Sequence, residues 1–526
     1  MFKDRCKKCL LITEGVIIIT TNSVEVNENG KFSKFLSLIE RIGNKLPDPF
    51  ILFFYLTLAL TIVSWILNFF QAEVIHPNTQ ETVVVKSILS GEGLQFILAN
   101  TLTNFTSFAP LGLVLTIMLG IGLAEKVGLL EMLMKRAIVN TPKKIITFAV
   151  FFIGILGNIA SDAAFVVIPP LAALVFLSVG RHPLAGLAVG VASTGIGFTA
   201  NVLIAGTDAL LSGISTEIAK GINPDVIVTP LDNWFFMSAS TFLLAAVGTI
   251  ITEKYVEPRL GTYTGEQQAF TKEISPLEKK GLRNTLIAAI IFIAIVVIGM
   301  LIPNSPLLNE DGTLLRSPFL SGIVPILFLF FVTVGIVYGV SIKKIQSTAD
   351  VPKIMTEAIG SLSGYIVLIF MIAQFVAYFN WSNIAIWLAV NCADILSALN
   401  MTNIFVIVLF VILVAFLSLF IISGSALWAL VGPVFIPIFM LLGYHPAFIQ
   451  LAYRIGESST NMVTPLNPYF AIILSFMHIY DKKAGIGTLM SLMIPYTIIF
   501  LIVWIALMLV FAFFGIPIGP GVSLYL

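Results

Sequence analysis

Charge is scarce in this sequence. Only 11% of its residues are Asp, Glu, Lys or Arg, where a soluble domain carries about 25%. The formal net charge is +1, which leaves no basic face for a nucleic acid. Cysteine is scarce too: three residues cannot build a disulfide framework. Cys6 and Cys9 form a lone C-x-x-C with no second pair, and Cys392 sits among apolar residues as a small packing group. No His-Glu-x-x-His, Gly-x-Ser-x-Gly or Walker pattern occurs, so no hydrolase or ATPase machinery is supported and the chain reads as no enzyme. The basic start and apolar stretch at 10–19 are interrupted by Thr13, Glu14 and Gly15 and lack a small-residue cleavage site, so they do not read as a signal peptide.

Apolar residues are abundant. They make up 58% of the chain, the mean hydropathy is +1.01, and many runs approach the ~20 residues of a spanning helix. The expected class is therefore an all-α integral membrane protein embedded in lipid, multi-pass in a cell (inner or plasma) membrane. Residues 1–48 read as a tail ending in an amphipathic surface helix, with Phe35, Leu36, Ile39 and Ile42 at helical spacing. Residues 49–526 read as the membrane domain. Nine crossings are expected at 49–70, 108–124, 184–205, 234–252, 286–302, 321–340, 358–379, 446–477 and 489–514, the eighth of them broken. The segment 381–399 contains Asn383, Asn391 and Asp394 and reads as a connecting or interfacial helix.

One segment is written twice. Residues 163–183 read AAFVVIPPLAALVFLSVGRHP and residues 426–446 read ALWALVGPVFIPIFMLLGYHP. At one offset Pro170 matches Pro433, Phe176 matches Phe439, and Gly180, His182 and Pro183 match Gly443, His445 and Pro446. Each copy is the return arm of a short-armed hairpin, 145–180 and 404–443, and such arms suit re-entrant hairpins whose tips face protein or a water-filled cavity. Basic residues (Lys34, Arg41, Lys45; Lys126 to Lys144; Lys254 to Arg283; Lys343, Lys344, Lys353; Lys482, Lys483) all fall on one side if the hairpins do not cross. That places the N-terminus in the cytoplasm and gives the two copies opposite topology. Paired, interrupted segments in an inverted repeat point to a transporter's binding site.

The polar residues inside these segments are the candidate site. Asp162 at the first tip reads as a helix N-cap or a cation ligand; its counterpart is Ser425, in a Ser-Gly-Ser tip. Trp428 packs or stacks on an aromatic substrate, and its counterpart is Phe165. Arg454 and Glu457 share a helical face. Either they pair with each other, or Arg454 holds a substrate carboxylate while Glu457 binds the coupling ion or a proton. Ser458, Thr460 and Asn461 follow in an unwound stretch, matched in the first half by Ser193, Thr194, Thr199 and Asn201. Such oxygens suit a hard cation such as sodium, with Asp162 and Glu457 as its acids, and no other cofactor is implied. Asp208 is an interfacial acid near the outer face or part of the ion path. His182 and His445 read as turn residues.

The blocks 161–186 (SDAAFVVIPPLAALVFLSVGRHPLAG) and 424–469 (GSALWALVGPVFIPIFMLLGYHP through AYRIGESSTNMVTPLNPY) resemble the p-aminobenzoyl-glutamate transporter (AbgT) family. The resemblance implies a homodimer of nine-helix subunits, each with two re-entrant hairpins and an aqueous basin open to the cytoplasm. It puts the family's functional Trp on Trp428, its prolines on Pro446 and Pro465, its Arg on Arg454, its Asp on Asp208 and its Ser on Ser425. The acid after Arg-Ile-Gly, usually Asp in the family, is Glu457 here. The implied substrates are small organic anions: p-aminobenzoyl-glutamate, related folate-pathway carboxylates, and sulfonamide antimetabolites. The expected activity is efflux by a proton or sodium gradient, as in an antiporter conferring sulfonamide resistance. The alternative is sodium-coupled uptake of p-aminobenzoyl-glutamate or a dicarboxylate.

Overall fold

The two Gly-x-His-Pro segments fold as the same turn. In the computed structural model, Gly180 and Gly443 end the hairpin return arms at φ +81° and +91°, a left-handed geometry that costs any side chain steric strain. The amides of Arg181 and Tyr444 reach back to Phe176 O and Phe439 O, each at 2.9 Å. Next, His182 Nδ1 accepts from Leu184 N and His445 Nδ1 from Ala447 N, each at 3.2 Å, and Pro183 and Pro446 open the following helices. Glycine stops one helix, histidine caps the next and proline starts it. The duplicated His-Pro is a folding device, as expected.

The structure describes residues 47–75, 80–139, 141–160, 162–197, 199–265, 274–314, 317–360, 362–399, 401–464, 467 and 469–526. The tail with Cys6 and Cys9, nearly all of the 1–48 segment, and Pro465 lie outside them. So does the side chain of Asp162, although its backbone opens a helix.

Both hairpins are present. The first runs through Ile146–Leu156, a tight turn at Gly157–Ala160, and Asp162–Ser178; the second through Ile404–Leu417 and Gly424–Leu441. At 1.5 Å per residue the outgoing arms reach only about 16–21 Å, well short of a ~30 Å hydrocarbon core. Among the described residues nine helices are long and apolar enough to cross a membrane. Seven coincide with expected crossings. The other two, Lys143–Ala160 and Gly424–Leu441, are hairpin arms.

One expected crossing is discontinuous instead, and the crossing expected to be broken is broken. The segment 184–205 is not one crossing: its helix, Pro183–Ile196, ends and a second, Gly206–Ala219, begins after an irregular stretch. The same break separates Pro446–Thr460 from Phe470–Tyr480. Glycine at 195 and 197 with polar Thr199 and Asn201 weakens the helix there, and neighbouring groups take up the freed backbone. A helix at Gly91–Thr106 and a small antiparallel pair, Glu73–Ile75 with Thr82–Val84, precede the second crossing and were not expected.

One long helix, Trp234–Ile251 continuing through a π-helical turn to Leu260, relates the two hairpins. Its far end carries Glu253 and Glu257, which hold Arg181 in the first turn at 3.6 and 2.6 Å. At its near end Phe236 N bonds Ile518 O, and the segment that follows bonds the second turn through His445 N to Leu524 O (2.8 Å) and Leu526 N to Gly443 O (3.0 Å). The two turns therefore lie at opposite ends of one membrane-length helix, as an inverted repeat requires.

Candidate functional site

The irregular parts of both repeats converge on one cavity of about 210 Å³. The second hairpin tip supplies Ile422, Ser423, Gly424 and Ser425; the first return arm supplies Phe165. The break in the first broken helix supplies Thr199, and Thr207 and Leu210 follow it. The second broken helix supplies Tyr453, Glu457 and Asn461, and its break supplies Asn467 and Tyr469. Phe165 and Tyr469 stack at 4.6 Å with ring planes 5° apart.

Glu457 is 2% exposed, and its Oε2 accepts from Ser458 Oγ at 2.9 Å. Ser458 Oγ also bonds Thr199 Oγ1 at 2.6 Å, which joins the two halves. Thr460 donates to Ala415 O and Gly456 O and contacts Ser418, so it ties the broken helix to the second hairpin's outgoing arm. Asn467 Nδ2 reaches Asn461 O at 3.3 Å across the break.

Arg454 does not pair with Glu457. Its Nη1 meets Asp208 Oδ1 at 2.5 Å, and it is fully buried. Asp208 is no interfacial acid: it is buried in the first turn of Gly206–Ala219, where its Oδ2 also accepts from Ala205 N at 2.7 Å. With the helix interrupted at 197, the following residues turn back into the protein. The pair therefore links the two broken helices behind the cavity wall.

Trp428 is likewise buried behind the cavity rather than lining it. Its Nε1 donates to Ser215 Oγ (3.1 Å) and Leu211 O (3.3 Å), and its ring lies against Tyr453 at 4.6 Å. Its repeat counterpart, Phe165, is the aromatic that faces the cavity. Pro446 opens its helix beside the second turn, away from these groups. Of the expected site residues, the structure gathers Ser425, Glu457 and Asn461 at the cavity and Ser458 beside it. Asp208, Arg454 and Trp428 form a second polar cluster behind it.

Sequence reasoning missed Tyr453, Asn467, the Phe165–Tyr469 stack and Gln450. Gln450 had a signal: it stands one turn before Arg454, at the head of the stripe Gln450, Arg454, Glu457, Ser458, Asn461. Outside the membrane segments, burial pulls the His182 imidazole below its ordinary 6.5, against the opposing charges of Glu257 and Asp481. That favours the neutral ring whose Nδ1 caps the helix.

A model described as "AbgT putative transporter family" matches residues 34–526. The chain is 43% identical over 499 residues to the p-aminobenzoyl-glutamate transport protein of Escherichia coli (strain K12), covering 94% of this chain and 98% of that one. Two solved structures superpose closely. One is the Alcanivorax borkumensis YdaH transporter (40% identity, TM-score 0.86, 90% of this chain and all of that one). The other is Neisseria gonorrhoeae MtrF, described with a class of antimetabolite efflux pumps (42% identity, TM-score 0.87, 93% of this chain and all of that one). The fold is shared with both solved transporters, and this chain is a member of the AbgT transporter family.

Proposed function

We propose that this transporter is a secondary active carrier of p-aminobenzoyl-glutamate, related aromatic carboxylates of the folate pathway and sulfonamide antimetabolites, driven outward by a proton or sodium gradient. The observation that carries this reading is the cavity itself, where the second hairpin tip, the first return arm and both breaks meet around a buried acid, Glu457. The stacked Phe165 and Tyr469 offer a flat apolar wall to an aromatic ring. Ser425, Asn461 and Asn467 offer hydrogen bonds to an amide linkage. Arg454 supplies the charge for a carboxylate, which must compete with Asp208 for the guanidinium fork.

Glu457 takes the coupling ion. Its carboxylate, Ser458 Oγ and Thr199 Oγ1 form an oxygen set that fits a hard monovalent cation, and the same carboxylate can instead carry a proton. The pair of like subunits implied by the family and the cytoplasmic N-terminus belong to the same reading. Sodium-coupled uptake uses the same groups, and the relative from Escherichia coli that transports p-aminobenzoyl-glutamate keeps it in view. Alternating access is reversible, so the imposed gradients set the sign.

Flux of labelled p-aminobenzoyl-glutamate and of a sulfonamide into proteoliposomes, with sodium and pH gradients imposed separately, tests the proposal. Gradient-driven flux is expected for at least one of them. Arg454→Ala should abolish it, and Glu457→Gln should leave substrate binding while removing the response to the gradient. Flux of neither compound under any gradient overturns the substrate assignment.

A further inference from the structure

We propose that Gln450 is a positioning residue that fixes the guanidinium of Arg454 and couples it to the indole of Trp428. Gln450 is 1% exposed and lies one turn before Arg454 on the same helix face. With its amide oriented to satisfy its neighbours, its oxygen accepts from Arg454 Nη2 at 3.0 Å and Asn233 Nδ2 at 3.1 Å. Its nitrogen donates to Ser215 Oγ at 2.6 Å and Leu211 O at 3.1 Å. A primary amide has two donors and two acceptor lone pairs, so every one of them is engaged.

Ser215 extends the chain of contacts. Its hydroxyl donates to Leu211 O at 2.8 Å and accepts from Trp428 Nε1 at 3.1 Å. One side of the Arg454 fork is therefore held by Asp208 and the other by an amide that also tethers Trp428. Only glutamine meets all of these needs at this length: leucine offers neither donor nor acceptor, and glutamate lacks the donor. The arrangement keeps Arg454 turned toward Asp208 and out of the cavity lining. Resting on the transport reading above, a substrate carboxylate that recruits Arg454 must then loosen Gln450 and, with it, Ser215 and Trp428. The charge and the aromatic wall respond together.

Two measurements on the full chain in detergent and liposomes decide this. The first needs no substrate: phenylglyoxal modification mapped by mass spectrometry, with Arg181 as the internal reference. Losing a hydrogen bond to a charged group corresponds to about a tenfold population change. Gln450→Leu is therefore expected to raise Arg454 modification about tenfold, and Gln450→Glu, which keeps the acceptor, to leave Arg454 protected. Gln450→Met replaces Gln450→Leu if the latter does not yield monodisperse protein. The second is a kinetic split: Gln450→Leu frees Arg454 for the substrate and should lower KM for p-aminobenzoyl-glutamate about tenfold, with little change for its diester, which lacks the carboxylates. Arg454 modification at the parental rate in Gln450→Leu, or equal KM changes for acid and diester, overturns the positioning role. Faster Arg454 modification beside a parent that moves no p-aminobenzoyl-glutamate overturns the transport reading and leaves the positioning role standing.

Discussion

Arg454 carries a full charge into a helix that every neighbour buries, and Asp208 meets it at 2.5 Å. Removing one partner of a buried pair leaves the other uncompensated, at a cost of about 3–5 kcal/mol. Asp208→Ala should therefore lower the melting temperature in detergent markedly, and Arg454→Leu added to it should recover part of the loss. A melting curve unchanged by Asp208→Ala would mean that the charge finds another partner. The arrangement also divides labour among residues that looked equivalent in sequence. Glu457 faces the cavity, whereas Asp208 is committed to Arg454 and to its own helix start.

The helix termini hold the hairpins in place. Each return arm ends in a left-handed glycine, and each following helix begins with a histidine cap and a proline. Removing a side-chain cap costs about 1 kcal/mol, so His445→Ala and His182→Ala should each lower stability by about that much in thermal melts. The first cap adds a pH dependence. Burial lowers the His182 pKa from 6.5, so the folded state binds the proton less readily than the unfolded chain. Its contribution is present above the ordinary histidine value and is lost as pH falls through 6.5 and then the lower folded value. His182→Gln should flatten that part of the stability profile, and an identical profile in the variant would exclude the cap as its source. The two turns are otherwise secured differently. Arg181 is clasped by Glu257 and Thr147 and lies over the Phe176 ring, while Tyr444 stacks on Tyr525 and its neighbours bond the backbone of 524–526.

At the scale of the molecule, the two hairpins enter from opposite ends of the helix that starts at Trp234. Cysteines placed at Val179 and Leu442, in a background without the native cysteines, should therefore react with an impermeant thiol reagent from opposite sides of an oriented membrane. The basic loops predict the Val179 side to be cytoplasmic. Labelling of both from one side would remove the inverted repeat. An apolar exterior follows from the same architecture: Pro276–Leu301 is almost entirely uncovered within the chain and presents Ile287, Ile290, Ile291, Ile295 and Ile298 outward. The broken helices, by contrast, are buried along nearly their whole first segments.

Much of this was written locally in the chain. Apolar runs marked seven of the nine long helices, and the repeated Gly-x-His-Pro marked both turns, because spans, caps and left-handed glycines depend on residues within a few positions of one another. The inventory of intramembrane polar residues was equally legible, since each is costly in an apolar run. Partnership was not. Asp208 and Arg454 are 246 positions apart, and Trp428 and Ser215 are 213. The polar interruption near 197 was legible but 184–205 was still read as one crossing, so 206–219 was not seen to turn inward, and Asp208 was left open between the outer face and the ion path. Likewise Phe165, the lesser aromatic of the repeat, reaches the cavity while Trp428 stands behind it. Sequence alone determined which residues the membrane must hide. Only the tertiary packing of two inverted halves decided which of them meet, because that depends on how distant helices cross rather than on any local period.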